Sequence, residues 1–310
     1  MRIIITGACG HIGSHLVANL NKIKKIKSTI LIDNFATQRY SPLFNLKKQN
    51  NISFYQKDLT QKNSLVGFDK VDLIIHCASL TNAASSFSKK KKMYENNLGC
   101  MKNVINFCVK NKTKLIHISS TSVYGKQAEL VSEEDEHLIK PQSPYADIKL
   151  IEENMLKKLG KKINYTSFRF GTIAGISRGM RFHTAVNKFC FDAALNRKIT
   201  VYKTAYDQFR PYLSIRDAFK VFKFCIEKNF YKNKTYNALS GNFSVSQIIY
   251  MIKKIKKNVD IKPINSPIMN KLNFIVSSKN LNKQGLFLKS KINTDISDTL
   301  KLFKNIKNEM

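Results

Sequence analysis

Three residues near the middle of the chain could act together on an alcohol group. Ser120 ends the apolar run KLIHISS, and Tyr145 and Lys149 lie four residues apart in SPYADIKL. Residues spaced four apart on a helix share a face, so the lysine ammonium can lie close to the phenol. A neighbouring positive charge lowers the pKa of a tyrosine below its usual value of about 10, which makes the phenolate a usable base.

The chemistry that these residue types support is the oxidation of an alcohol. A tyrosine base takes the hydroxyl proton, a serine hydrogen-bonds the same oxygen, and a hydride leaves for a nicotinamide. A tyrosine and a lysine at this spacing are common by chance, and surface turns would use the same residue types. The prediction therefore depends on whether the preceding chain could bind a dinucleotide.

The amino-terminal segment has the spacing of a dinucleotide-binding loop. Gly7, Gly10 and Gly13 stand between the apolar run RIIIT and the helical pattern SHLVANLNKI. Glycine permits a tight turn and the close approach of a diphosphate, and the helix N-terminus offers free N–H groups. Asp33 ends the second predicted strand, where a carboxylate would bind a ribose and repel a ribose phosphate. We therefore expect NAD and not NADP, although the nearby Arg39 weakens this preference; an ordinary glycine turn is the alternative.

The ends of the third and fourth predicted strands carry further polar residues. Asp58 and Leu59 follow ISFYQK, where the aspartate could bind an adenine amino group and the leucine could contact the ring. An aspartate that caps a helix is the alternative interpretation. His76 ends the fourth strand, and we interpret it as a hydrogen-bonded structural residue and not as a catalyst.

Strands and helices alternate along the first half of the chain. The pattern predicts strands at 2–6, 28–34, 52–58, 71–78, 114–120 and 163–170, with long helices at 93–111 and 144–160. This alternation is typical of an α/β fold of the Rossmann type, a doubly wound parallel sheet with helices on both faces. We assign 1–173 to an NAD-binding domain, to which 208–228 returns, and 174–207 and 229–310 to a smaller, mixed C-terminal substrate lobe.

The composition limits the kinds of partner. The formal net charge is +32, which suits a nucleic-acid or anionic-membrane surface. The lysines, however, occur in short runs on helical stretches, where such runs are usually solvated, and Lys, Asn and Ile are all favoured by AT-rich codons. We therefore do not expect nucleic-acid binding.

The cysteines and the apolar runs point to a cytoplasmic protein. The six cysteines form no CxxC pair and have no histidine at metal-ligand spacing, so we expect buried or half-buried free thiols and no metal. No apolar run reaches the roughly 18 residues of a membrane span, and the chain enters a strand directly without a signal-peptide pattern. We expect no membrane attachment.

Four segments occur in an order and spacing that resemble one family. TGACGHIG, HISSTSVYG, SPYADIK and FRPYLSIRDA are similar to the motifs of the extended short-chain dehydrogenase/reductases, the nucleotide-sugar epimerase and dehydratase group. The resemblance covers nearly the whole chain. It implies that Ser120, Tyr145 and Lys149 are the catalytic residues, that NAD is the cofactor, and that the substrate is a nucleoside-diphosphate sugar. It also implies a homodimer formed through the helices at 93–111 and 144–160.

The resemblance assigns two further sets of residues. The expected cofactor-binding residues are Gly7, Gly10, His11, Ile12, Gly13, Asp33, Asn34, Asp58, Leu59, Ala78, Asn97, Tyr145 and Lys149. The expected substrate-binding residues are Thr81, Thr121, Thr172, Asn187 and Arg210. Arg210 suits a diphosphate because a planar guanidinium binds phosphate oxygens in pairs. Arg178 and Arg181 could contact sugar or phosphate, or could be surface charges.

Departures from the family pattern favour one reaction. Thr121 and Ser122 stand where dehydratases usually carry Asp-Glu, so no carboxylate pair is available there to eliminate water. Thr81 and Thr172 replace a lysine and an asparagine of typical relatives. We expect epimerisation through a transient 4-keto sugar. The alternatives are a nucleotide-sugar dehydrogenase, dehydratase or decarboxylase, and, in another class, a non-catalytic dinucleotide or RNA binder.

Overall fold

Parallel strands joined by helices build the first part of the chain. The computed structural model describes residues 1–46, 51–83, 85–125, 130–265 and 273–306. In chain order the first elements are β1 (Arg2–Thr6), α1 (His11–Ala18), β2 (Ser28–Asp33), β3 (Ile52–Gln56), β4 (Leu73–His76), α2 (Lys90–Asn111), β5 (Lys114–Ser120), β6 (Leu130–Val131), α3 (Pro144–Leu159) and β7 (Tyr165–Phe170). The six predicted strands correspond to β1–β5 and β7, with ends that agree within two residues.

Shorter strands and four longer helices form the rest. These elements are β8 (Thr172–Ala174), α4 (Ala185–Ala194), β9 (Ile199–Tyr202), β10 (Phe209–Ser214), α5 (Ile215–Lys228), β11 (Lys234–Ala238), β12 (Gly241–Ser244), α6 (Val245–Ile255), β13 (Ile261–Ile264), β14 (Ile275–Val276), α7 (Lys279–Lys283) and α8 (Ile292–Leu302). Among the described helices, none is long and apolar enough to cross a membrane.

Seven parallel strands form the central sheet in the order β11-β7-β5-β4-β1-β2-β3. Residues of α1 and α5 pack on one face of this sheet, and residues of α2 and α3 pack on the other. The strands are therefore buried on both sides, which explains why Ile3, Ile4 and Ile5 of β1 are all fully buried. The predicted Rossmann-type, doubly wound α/β fold is confirmed.

The strand order reverses at β1, which lies between β2 and β4. In open parallel sheets a crevice forms at such a reversal, at the carboxyl ends of the strands, and ligands bind there. The loop after β1 and the ends of β4 and β5 meet at this edge. The tertiary fold therefore places the glycine loop and Ser120 on the same side of the sheet.

A second core lies in the C-terminal part of the chain. Apolar residues of α4, α6, α8 and β9 form a separate cluster, and β12-β10-β8 and β13-β9 form two small sheets beside it. β10, which belongs to the segment predicted to return to the NAD-binding domain, lies in the first of these small sheets. β11, predicted to lie in the substrate lobe, pairs instead with β7 and extends the large sheet. Its sequence, KTYNA, is mostly polar and gives no apolar strand signal, because β11 lies at the edge of the sheet. The rest of the division stays a prediction.

All six cysteines are free thiols, and their burial agrees with the sequence prediction. Five are buried and Cys77 is half-buried. Within the part of the chain that the structure describes, no three His, Cys, Asp or Glu residues are grouped as metal ligands.

Candidate active site

The turn between β1 and α1 is built so closely that only glycine fits at two positions. Gly7 has φ +63°, and a Cβ there would lie 2.6 Å from the nitrogen of Ala78. A Cβ on Gly13 would collide with the carbonyl oxygen of Gly7. Gly10 is the N-cap of α1 and offers no side-chain cap, so the first N–H groups of the helix can bind an anion. This geometry fits the diphosphate of a dinucleotide.

Asp33 lies beside this turn at the end of β2. One carboxylate oxygen accepts a hydrogen bond from the backbone N–H of Cys9 (3.0 Å), and the other accepts from that of Phe35 (2.9 Å). These two bonds fix the carboxylate and leave lone pairs for ribose hydroxyls. Asn34 accepts a bond from the N–H of Ala36, which shapes the same turn. The positions fit an adenosine ribose, and the role of both residues stays a prediction.

The residues expected at the adenine and nicotinamide ends have structural partners. Asp58 accepts bonds from the N–H and the hydroxyl of Thr60 in a local turn, and no helix begins in the described stretch between β3 and β4, so it does not cap a helix. Leu59 is buried in the core against α2. Asn97 is fully buried and holds Leu80 with two hydrogen bonds of 2.8 and 3.0 Å, which fixes the loop after β4. A role in cofactor binding stays a prediction for each of them.

Two histidines near this loop are neutral. His11 makes a 3.0 Å bond from Nε2 to the carbonyl oxygen of Gly175, and burial is the main reason that its pKa falls to about 3. His76 is bonded through Nδ1 to the hydroxyl of Thr6 at 2.8 Å, and burial lowers its pKa to about 3 as well. His76 is hydrogen-bonded in the interior, as the sequence predicts.

The helix α3 presents the tyrosine and the lysine. Ser143 caps it by accepting a bond from the N–H of Ala146 (3.2 Å), and Pro144 occupies its first position. Tyr145 is half-buried, while Lys149 is 3% exposed, with its ammonium 5.9 Å from the centre of the tyrosine ring. The helix packs against β5 and the turn after it, which begins at Ser120. The predicted catalytic residues therefore lie on adjacent elements.

Ser120 ends β5 and starts a short 3₁₀ turn. Its hydroxyl oxygen accepts bonds from the N–H of Ser122 (3.2 Å) and from the hydroxyl of Ser122 (2.9 Å). The hydroxyl of Thr121 donates to the carbonyl oxygen of Phe170 (3.3 Å) and is buried. Ser120 thus keeps its own O–H free for a substrate oxygen, because both of these contacts use it as an acceptor.

A buried carboxylate, which the sequence analysis did not single out, keeps Lys149 charged. Glu152 accepts a bond from the ammonium of Lys149 (2.8 Å) and contacts Nε2 of His117 (2.9 Å), whose Nδ1 is bonded to Ser167 (2.8 Å). Burial opposes charge on Lys149, but Glu152 and then Tyr145 outweigh it and raise the pKa of the lysine. Burial also opposes charge on Glu152, and Lys149 and His117 outweigh it and lower the pKa of Glu152 to about 2. The i, i+3 spacing of Lys149 and Glu152 was the available sequence signal.

The next residue along α3 forms a second buried ion pair. Glu153 binds Arg169 of β7 through two parallel contacts (3.0 and 2.7 Å), and Ser119 donates to the same carboxylate. Arg169 also donates to the hydroxyl of Tyr124 (2.8 Å). These contacts fix α3 against β5 and β7. They therefore fix the position of Tyr145 relative to the carboxyl edge of the sheet.

The expected substrate-binding residues occupy several elements. Thr81 accepts a bond from Arg181, and Thr172 lies in β8. Asn187 is fully buried and binds backbone atoms of Gly175 and Arg181. Arg210 has a buried Nε without a partner among the described residues, and the same holds for the hydroxyl of Tyr212. Such a guanidinium fits an anionic ligand, and substrate binding by these residues stays a prediction.

Sequence comparisons match one family. The model described as "NAD dependent epimerase/dehydratase family" matches residues 3–238. The chain is 28% identical over 273 residues to ADP-L-glycero-D-manno-heptose-6-epimerase of Brachyspira hyodysenteriae, which covers 86% of this chain and 84% of that protein. It is 27% identical over 271 residues to dTDP-D-glucose 4,6-dehydratase of Dictyostelium discoideum. The aligned region covers 80% of this chain and 60% of the relative. Against UDP-glucose 4-epimerase of Caenorhabditis elegans, 32% identity extends over 52% of this chain and 50% of the relative.

Solved structures of the same fold cover almost the whole chain. UDP-glucose 4-epimerase of Thermus thermophilus in complex with NAD has a TM-score of 0.85 at 20% identity, over 98% of this chain and 99% of that chain. dTDP-glucose 4,6-dehydratase of Streptomyces venezuelae with NAD bound has a TM-score of 0.89 at 16% identity, over 98% and 97%. At these identities the likeness shows the fold, and both neighbours hold NAD.

Proposed function

Because the chain belongs to the NAD dependent epimerase/dehydratase family, we propose that it epimerises a nucleoside-diphosphate sugar through a transient 4-keto sugar. The chain is an enzyme, and its cofactor is NAD. The observation that supports the reaction most directly is the half-buried Tyr145 above a buried, charged Lys149 at the carboxyl end of β5. This arrangement supplies a base at the edge of the sheet where ligands bind.

The residues of the chain move a proton and hold an oxygen. Tyr145, as the phenolate, takes the proton from a ring hydroxyl, and the ammonium of Lys149 stabilises the phenolate charge. Ser120 donates a hydrogen bond to the same substrate oxygen, which stays in place when that oxygen becomes a carbonyl. NAD, when bound, supplies a hydride acceptor that can return the hydride. Return of the hydride to the opposite face and of the proton from Tyr145 gives an isomer with no net oxidation.

The carboxylates near the site favour this reaction over loss of water. Thr121 and Ser122 replace the acidic pair of typical dehydratases. The nearby Glu152 and Glu153 are both buried and held by cationic partners, so neither is available as an acid to a bound sugar. Nucleotide-sugar dehydrogenase, dehydratase and decarboxylase activities remain the alternatives within the family.

The dinucleotide would be held by the residues around the β1 turn. Gly7, Gly10 and Gly13 allow the diphosphate to approach α1, and Asp33 would bind the adenosine ribose. The first part of the chain, 1–173 with 208–228, would then hold NAD, and Asn187 and Arg210 would hold the sugar nucleotide on the other lobe. The cytoplasmic location predicted from the sequence belongs to the same proposal.

A panel of sugar nucleotides tests the reaction. Purified protein with NAD is incubated with UDP-, GDP-, dTDP- and CDP-sugars and with an ADP-heptose, since one relative acts on that class. Mass spectrometry and chromatography should find an isomer of unchanged mass, which is absent with Tyr145→Phe. Loss of two hydrogens, water or carbon dioxide would replace epimerisation by dehydrogenation, dehydration or decarboxylation. Unchanged sugars throughout would mean that the substrate lies outside this panel.

We also propose a homodimer formed through α2 and α3, as the family resemblance implies. These helices contact each other on one face of the sheet, and Leu98 and Ile151 stay half-exposed on them. Light scattering should give twice the chain mass of 35.5 kDa. A monomer mass at micromolar concentration would contradict the dimer.

A further inference from the structure

A segment of the C-terminal part lies directly on the glycine turn. Residues 175–184, here called the strap, follow β8 and precede α4. The carbonyl oxygen of Gly175 contacts Nε2 of His11 (3.0 Å), and the N–H of Gly179 donates to the hydroxyl of Ser14 (2.9 Å). A Cβ on Gly179 would collide with the carbonyl oxygen of Gly10. The strap therefore contacts α1 at its first residue, His11, and again one helical turn later at Ser14.

The strap is also anchored away from the turn. The hydroxyl of Ser41 donates to the carbonyl oxygen of Arg178 (2.9 Å), which joins the strap to the connection after β2. The side chain of Asn187 in α4 binds the N–H of Gly175 and the carbonyl oxygen of Arg181, both at 3.2 Å. The backbone of the strap is thus held at Gly175, Arg178 and Arg181, and the side chain of Arg181 contacts Thr81.

Arg181 has the features of a cationic side chain that binds an anionic ligand. Its guanidinium donates to Thr81, while its Nε is buried without a partner, and no carboxylate forms an ion pair with it within the described residues. Burial, and then the like charge of Arg39, lower its pKa. Arg181 is half-buried, and a guanidinium that is partly removed from water and lies near another cation is unfavourable unless an anion joins it.

The glycine turn lacks a positive side chain of its own. Residues 7–14 read GACGHIGS, and the histidine among them is neutral at physiological pH. The N-terminus of α1 contributes only about half a positive charge, whereas a diphosphate carries two negative charges. Other polar atoms around the strap are also buried with no partner among the residues that the structure describes, namely Nδ1 of His11 and the hydroxyls of Ser177 and Thr184.

We propose that Arg181 binds the diphosphate of NAD and that the strap covers the cofactor in its site. The proposal rests on the dinucleotide site proposed above. Arg181 approaches from the lobe assigned to the sugar nucleotide, so the cofactor diphosphate would join both parts of the chain. Tyr145 also acts on the charge of Arg181, so a contact with the reacting sugar instead of the cofactor is the competing role that the test must separate.

Isothermal titration with three ligands tests the assignment. NAD, ADP and adenosine are titrated into wild-type protein, Arg181→Ala and the control Arg197→Ala. Arg197 is an exposed arginine of the same lobe, stacked on Phe191. Because a hydrogen-bonded charge pair is lost, Arg181→Ala should bind NAD and ADP about 10- to 100-fold more weakly, with adenosine affinity unchanged. Arg197→Ala should bind all three like the wild type.

The remaining outcomes overturn the proposal in distinguishable ways. Unchanged NAD affinity in Arg181→Ala would exclude a diphosphate contact, and an equal loss for adenosine would show that Arg181 supports the fold of the whole site and does not act on the diphosphate. If Arg181→Ala does not fold, Arg181→Lys replaces it; a loss of NAD and ADP affinity without loss for adenosine is again expected, because an ammonium lacks the planar pair of N–H donors that matches two phosphate oxygens. Wild-type protein that binds no NAD would refute the dinucleotide site itself.

Discussion

Lys149 is a nearly fully buried cation whose charge depends on one neighbour. Its ammonium binds Glu152, which in turn contacts His117 on strand β5 of the large sheet. Without the carboxylate, burial would favour the neutral amine, and Tyr145 would lose the charge that stabilises its phenolate. The positive charge beside Tyr145 is therefore maintained by Glu152, a buried residue behind the lysine.

Glu152→Gln should move the pH dependence of the reaction. Loss of the carboxylate lowers the pKa of Lys149, so less positive charge faces the phenolate in the reaction, and the acid limb of kcat/KM should move up by about one pH unit. The measurement is a pH–rate profile with the sugar nucleotide identified by the panel.

Glu136 offers a matched control, because its partner Lys157 lies near the end of the same helix. Glu136 pairs with Lys157 of α3, and both side chains are 68% exposed, so Glu136→Gln should leave the profile unchanged. An acid limb that stays in place in Glu152→Gln would show that Glu152 acts only on folding. Glu152→Asp should restore part of the wild-type profile.

The helix α3 brings Tyr145 and Lys149 together on one face and holds them against the sheet. Its first turn holds Tyr145, its second holds Lys149, and the two glutamates that follow fix it to β5 and β7. The N-cap Ser143 sets where the helix begins, and so which residues lie in its first turn. A small change at this end should alter both stability and chemistry.

Ser143→Ala and Ser244→Ala separate these two effects. Ser244 caps α6 in the same manner, with the N–H of Gln247 donating to its hydroxyl at 3.1 Å, but α6 carries none of the proposed catalytic residues. Each variant should lose about 1 kcal/mol in urea unfolding, because a helix N–H loses its acceptor. Only Ser143→Ala should also lower kcat. Equal kcat in both variants would show that the cap does not position Tyr145.

At the scale of the whole molecule, the strap connects the parallel sheet with the second core next to the glycine turn. The strap contacts α1, and Asn187 links it to α4 of the second core. A dinucleotide bound at the turn would therefore contact both parts, and binding to the folded state alone raises the free energy of unfolding. The net charge of +32 also favours anionic ligands over the entire surface.

NAD should stabilise the protein more than NADP. At 100 times its Kd, a ligand adds about 2.7 kcal/mol to the free energy of unfolding. The carboxylate of Asp33 repels a 2′-phosphate, so thermal melting with equal concentrations should show a clear rise in Tm with NAD and a smaller rise with NADP. Equal shifts with both would indicate that Arg39 binds the extra phosphate.

The sequence by itself determined the features that depend on neighbours along the chain. The spacing of Gly7, Gly10 and Gly13 and that of Tyr145 and Lys149 act within one turn or one helix, so local geometry is sufficient to recognise them. Alternating apolar runs likewise predicted the parallel sheet, because each run had to be buried on both faces. The family followed from the order of these motifs.

Only the tertiary structure decided which distant residues meet. Glu152 contacts His117 35 positions away, and Gly175 contacts His11 164 positions away. The edge strand β11 and the direction of Arg181 likewise depend on packing between elements. No local pattern encodes such pairs, because hydrogen bonds and ion pairs between distant residues form only after the sheet and helices have brought them together.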